Sequence, residues 1–239
     1  MPRSNSMLKS SRAILLARFS LLGAALGIAG IAGAHGVGAA DQQFLTNNAG
    51  AQLMSFIYLG AKHMVTGYDH LLFLLGIIFF LYRLKDVAVY VTLFAIGHSA
   101  TLLFGVLGGV HVNAYIVDAI IGLSVAYKAF ENLGGFKTLL GFDFAPRTAV
   151  LIFGFFHGFG LATKLQELSL SQEGLVANMI AFNFGVEIGQ FLALGAILIA
   201  MNFWRYTASF AKHAAAANVV LMTAGFALAG FQIAGYVLG

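Results

Sequence analysis

Apolar residues run in long unbroken blocks along most of this chain, and that pattern decides what it can fold into. Blocks such as 87–108 and 175–203 neither alternate like a half-buried strand nor recur at the spacing of an amphipathic surface helix. A helix that crosses a bilayer needs roughly 20 consecutive, mostly apolar residues. Of 239 residues, 60% are hydrophobic and 9% charged, whereas a soluble domain carries about 25% charged residues. Mean hydropathy is +0.88. The expectation is an all-α, polytopic transmembrane helix bundle. Its 29 glycines suit helices that pack closely in lipid.

The chain has no cysteine, which excludes a disulfide framework, a thiolate metal site and a cysteine nucleophile. Net charge is +4. No basic patch with interleaved aromatic residues accompanies it, so the charge reads as membrane orientation and no nucleic-acid partner is expected. There is no P-loop signature and no motif for an organic cofactor.

A positive stretch (Arg3, Lys9, Arg12, Arg18) followed by small apolar residues marks 1–34 as a secretory signal peptide. Cleavage after Ala34 or after Ala40 fits the small-residue rule, and an uncleaved first helix is the other reading. Residues 35–48 then form a flexible periplasmic tail and 49–239 the helix-bundle domain. The stretch 49–66 reads as a short interfacial or re-entrant helix on the periplasmic side. Six mature spans follow, at about 68–83, 87–108, 112–131, 148–165, 175–203 and 214–238, with a loop over 132–147 that holds Gly134, Gly135 and Pro146. Arg83, Lys85, Lys137, Arg147, Arg205 and Lys212 fall on one side, with Lys128 near it, and only Lys62 and Lys164 on the other. The positive-inside rule then puts the protein in the bacterial inner (cytoplasmic) membrane with both mature termini periplasmic.

A charged side chain in the hydrocarbon costs about 2.5–3.5 kcal/mol on insertion scales, so such residues face one another or a wet cavity. Asp69 and His70 open the first span, near the outer surface; His98 lies in the second, Asp118 in the third and His157 in the fourth. Asn183, Glu187 and Gln190 share a face of the fifth by their i, i+4, i+7 spacing. His63, Asp69 and His70 lie within eight residues around Gly67, which permits a sharp turn into the span. Thr101 follows Gly97-His98-Ser99, and His157 stands between the packing glycines Gly154 and Gly158. Imidazole and carboxylate are ligands for nickel, zinc, cobalt, iron or manganese, and spacing alone does not choose among them. The expected metal set is His63, Asp69, His70, His98, His157 and Glu187, supported by Asp118, Asn183, Gln190 and Thr101. An ionised mid-membrane carboxylate at Glu187 would need a cation or a histidine partner.

Taken together, the blocks His63…Asp69-His70, Gly97-His98-Ser99 with Thr101, His157-Gly158-Phe159-Gly160 and Asn183 through Gln190 resemble the HupE/UreJ membrane protein family, its second subgroup in particular. The resemblance covers roughly residues 55–200. It implies a nickel or cobalt permease that feeds hydrogenase or urease maturation, with a signal peptide and about six spans. It also implies that His63, Asp69 and His70 are the ligands the metal meets first and that His157 is a second-stage ligand. The longer fourth-span pattern of better characterised members is absent: Leu161 and Lys164 stand where a second histidine and a glutamate would be.

Three functions are compatible with this reading. A permease would carry a divalent transition metal, nickel first and cobalt or zinc next, through sites that bind firmly enough to dehydrate the ion and loosely enough to release it. An intramembrane metalloenzyme would hold a catalytic metal on His98, His157 and Glu187, although neither H-E-x-x-H nor G-x-S-x-G occurs. A structural or assembly subunit would use the polar layer for packing specificity. The permease is the expectation, not an enzyme; its partners would be the lipid bilayer, the metal ion, and further membrane subunits or metallochaperones.

Overall fold

A computed structural model describes residues 50–167 and 173–238. The expected signal peptide and the whole of the tail lie outside the described residues, which contain no strand. The helices are α1 (Leu53–Thr66), α2 (Tyr68–Ile78), α3 (Leu84–Gly108), α4 (Ala114–Asn132), α5 (Gly135–Leu140), α6 (Pro146–Glu167), α7 (Leu175–Arg205) and α8 (Ala208–Leu238). Four of them, α3, α6, α7 and α8, are long and apolar enough to cross a membrane. The 19-residue α4 carries Asp118, Lys128 and Glu131 within its length.

Local chemistry sets the helix ends. Gly109 terminates α3 in the left-handed region at φ 63, where its N–H bonds the Gly105 carbonyl. The Asn113 side chain accepts a hydrogen bond from the Ile116 N–H and so caps the start of α4. Pro146 occupies the first position of α6, where a missing N–H costs nothing. The expected loop over 132–147 contains the short helix α5.

The long helices associate in pairs through glycines that let backbones touch. In α7, a Cβ on Gly185 would collide with the Ile57 backbone of α1, and one on Gly189 would lie 2.5 Å from the Ala61 carbonyl oxygen. Between α3 and α6, Gly154 abuts Phe94, Gly97 abuts Leu151 and Phe155, and Gly158 abuts the His98 carbonyl. Thr101 adds a hydrogen bond across this seam to the Phe155 carbonyl at 2.8 Å. Between α4 and α8, Gly122 and Gly225 face each other, and Asn132 donates to Asn218 at 2.9 Å. Without a hydrophobic force between helices in lipid, this small-residue packing is what holds such pairs together.

The N-terminal part of the bundle differs from the sequence expectation. The stretch 49–66 packs one face into the bundle: α1 buries Phe56, Leu59, Gly60 and Met64 and exposes Leu53, Met54, Tyr58 and Val65. The helix expected over 68–83 ends at Ile78. Together α1 and α2 run beside α7 in the same direction. Asn178, near the start of α7, bonds the backbone of Gly50 and Gln52. Ile57 meets Gly185, Met64 meets Gly189, and Arg205 at the end of α7 donates to the carbonyls of Ile78 and Phe79. The break at Gly67 therefore falls opposite the middle of α7, so Asp69 and His70 stand at mid-length of the bundle rather than near its outer edge. Glycine contacts along the α1–α7 seam hold α1 there; hydropathy alone does not register them.

Candidate metal centre

The helix break assembles the site. His63 sits in the last turn of α1; Asp69 and His70 sit in the first turn of α2. Gly67 links them, and its missing side chain is required by space: a Cβ there would lie 2.7 Å from His70 Nδ1 and 3.1 Å from Asp69 Oδ1. His98 and His157 come from the middles of α3 and α6, brought side by side by the glycine seam. Asp69, His70, His98 and His157 are each at most 3% exposed, and His63 is partly exposed.

Two hydrogen bonds set the ring orientations. His70 Nδ1–H donates to Asp69 Oδ1 at 3.1 Å. His157 Nδ1–H donates to the Phe153 carbonyl at 2.7 Å. In His157 this makes Nε2 the nitrogen with the lone pair, the arrangement in which a second partner fixes the tautomer of a metal-ligating imidazole. For Asp69 and His70 to bind the same ion, the His70 proton must instead sit on Nε2, so that Nδ1 and Oδ1, 3.1 Å apart, both face it. His70 Nε2 has no hydrogen-bond partner among the described residues. One ligand atom from each of Asp69, His70 and His157 lies within 4.8 Å of the others.

Ring spacing says which imidazoles fit around one ion. A metal about 2.0 Å from an imidazole nitrogen lies about 3.2 Å from the ring centroid, so two imidazoles at a tetrahedral angle have centroids about 5.2 Å apart and two on opposite sides about 6.4 Å. His70 lies 5.1 Å from His157 and 4.9 Å from His63, both close to the tetrahedral value. His70 and His98 are 6.0 Å apart, near the wide-angle limit. His63 and His98 both lie outside the group formed by Asp69, His70 and His157.

Below the cluster is an aromatic floor. Phe73, Phe94 and Phe153 each stand about one turn from a cluster histidine, toward the end where α2 stops and α3 starts. Phe94 contacts His157 at 4.9 Å, Phe73 contacts His157 at 5.5 Å, and Phe73 lies 5.4 Å from Phe94 and 5.8 Å from Phe153. Phe153 leads on to Tyr127 at 5.2 Å.

The other residues expected at the site are elsewhere. Asp118 pairs with Lys164 at 2.7 Å across α4 and α6. Thr101 is bonded to backbone carbonyls. Asn183 donates to the Met179 carbonyl at 3.3 Å, and Gln190 to the Val91 carbonyl at 3.3 Å. Glu187 is exposed and lines a separate cavity of about 260 Å³ between α3 and α7, with Thr92, Ser99 and Gln190. On the shared face of the fifth span Asn183 and Gln190 are thus buried and Glu187 between them is exposed. Sequence reasoning missed the aromatic floor, because phenylalanine is frequent throughout the chain. It also missed the partnership of Asp118 with Lys164, which pattern alone does not signal.

No curated protein and no solved structure matches the chain. A family model described as HupE / UreJ protein matches residues 39–239. That match spans every described helix and all the residues of the cluster, and the chain belongs to the HupE/UreJ family.

Proposed function

We propose that the protein is a membrane permease for a divalent transition metal, nickel first and cobalt next, with His63, Asp69, His70 and His157 binding one ion at the middle of the bundle. The family is a membrane transporter-type family linked to nickel and cobalt transport. The observation that carries the reading is the convergence of Asp69, His70 and His157 ligand atoms within 4.8 Å, from two separate helices in a buried layer. Neutral imidazole and carboxylate suit nickel, cobalt and zinc, and the lack of thiolates disfavours metals that require sulfur.

The finer topology belongs to the same proposal. The tandem α1–α2 acts as one discontinuous span, and α3, α4, α6, α7 and α8 complete six. Large apolar side chains on the outer face of α7, among them Ile180, Phe184, Phe191 and Leu192, are exposed as lipid contacts would be. Broken helices at mid-membrane are a recurrent way to line ion sites in transporters. Positive residues at the α2–α3, α5–α6 and α7–α8 ends make that side cytoplasmic in the bacterial inner membrane. Partly exposed His63 is then the ligand the ion meets first, the Asp69–His70–His157 group binds it, and the aromatic floor restrains its passage inward.

Nickel and cobalt uptake into proteoliposomes tests the proposal. His70→Ala should abolish saturable uptake while the purified variant keeps its helical content. Wild-type uptake by that variant would end the permease reading.

A further inference from the structure

Among the described residues, His98 is the one side chain with two buried polar atoms that lack a hydrogen-bond partner. It is fully buried, and neither ring nitrogen has a hydrogen-bond partner among the described residues. Buried polar groups in folded proteins are almost always partnered, so each exception calls for a cause. The neighbourhood offers little to a neutral imidazole. One face stacks on Phe94 at 6.0 Å. Its own carbonyl is packed against Gly158. The hydroxyl of Thr101, one turn away, is spent on the carbonyls of Gly97 and Phe155.

What does lie close is another imidazole. His70 is 6.0 Å away in an edge-to-face arrangement, and its Nε2 is likewise without a partner among the described residues. That spacing is too wide for His98 to join His70 and His157 tetrahedrally around one ion, yet within the wide-angle limit of about 6.4 Å for two imidazoles sharing a metal.

We infer that His98 is a second metal position, to which a divalent nickel- or cobalt-class ion passes from the Asp69–His70–His157 group through the shared ligand His70. This rests on the permease reading and adds a step to it. Two dications so near each other would repel strongly, so one ion occupies the pair of positions in turn. The first position, with a carboxylate, holds the ion more firmly. The His98 position has imidazoles alone, binds less firmly and adjoins Phe94 of the aromatic floor. A transfer position of this kind governs passage rather than affinity.

The test separates binding from transport. Cobalt(II) binding to detergent-purified protein is measured by calorimetry, and cobalt uptake is measured in proteoliposomes. His98→Gln keeps hydrogen-bonding capacity but is a poor metal ligand; His98→Phe keeps volume and removes both. For His98→Gln, affinity should stay within about threefold of wild type while maximal uptake falls at least about tenfold. His98→Phe should behave alike, and it replaces the glutamine variant if that one melts early. Wild-type uptake by a folded variant would overturn the inference. So would parallel loss of binding and uptake, which would make His98 a ligand of the first position or a structural residue. Uptake retained by His98→Gln and lost by His98→Phe would point instead to a bridging water and would also refute it. His70→Ala, run alongside, reports separately on the permease reading, because it should lose both binding and uptake.

Discussion

Replacing Gly67 with alanine adds one methyl group at the hinge between α1 and α2, and its consequences can be worked from distances. The new Cβ would lie 2.7 Å from His70 Nδ1, where an ordinary carbon–nitrogen contact is about 3.4 Å, so the ring must retreat by about 0.7 Å. The Asp69–His70 bond already stands at 3.1 Å, and that movement carries it out of hydrogen-bonding range. Losing the partner that orients a metal ligand typically lowers affinity about 10–100-fold, or about 1.4–2.8 kcal/mol. Stability responds differently. Overpacking costs about 1–3 kcal/mol, but Gly67 has φ -71 and ψ 105, a conformation alanine adopts without strain, so the less flexible unfolded chain returns about 0.4–1 kcal/mol. Gly67→Ala should therefore bind nickel at least about tenfold more weakly by calorimetry while losing no more than about 2.6 kcal/mol of stability in a thermal melt. Gly195→Ala in α7, whose Cβ would meet nothing within 4 Å, is the control and should leave binding unchanged. Wild-type affinity in a folded Gly67→Ala protein would refute the reasoning that the break shapes the site.

Other substitutions follow from the same geometry. Gly185→Ala should cost about 3 kcal/mol or more and show as a lower melting temperature, because its Cβ meets the Ile57 backbone rather than a side chain that could turn away. Lys164→Met strands Asp118, only 5% exposed, without its ammonium; the loss should be about 3–5 kcal/mol, and the double variant Asp118→Leu/Lys164→Met should recover most of it in a thermal melt. Glu187→Gln should leave cobalt affinity within about twofold of wild type by calorimetry, since Glu187 is exposed in a separate cavity; a large loss would return Glu187 to the metal site.

The helical class, most helix positions and the residues of the cluster can be read from the sequence. Apolar run length dictates spanning helices, and a buried His or Asp in such a run has few roles open to it. The tandem arrangement of α1 and α2 was not legible, because it depends on Gly60, Gly185 and Gly189 bringing two backbones together at a distance in the chain. The same gap explains Glu187. Its i+4 relation to Asn183 is correct, yet a helix face spans buried and exposed positions, and only the packing of α3 against α7 shows where the boundary falls. Lys164 reads in sequence as a cation at a helix end; in three dimensions it is the counter-ion of Asp118. Nothing in periodicity distinguishes Phe73, Phe94 and Phe153 from the lipid-facing phenylalanines, since the difference lies in which helix each faces.

The central claim is that imidazoles from α1, α2 and α6, with the Asp69 carboxylate, surround one metal ion. X-ray absorption of the nickel- or cobalt-loaded protein tests it most directly. The account predicts about three imidazole nitrogens near 2.0–2.1 Å and an oxygen ligand, with the imidazole signal reduced in His157→Ala and absent in His70→Ala. A first shell of oxygen alone, or a spectrum that neither substitution alters, would contradict it.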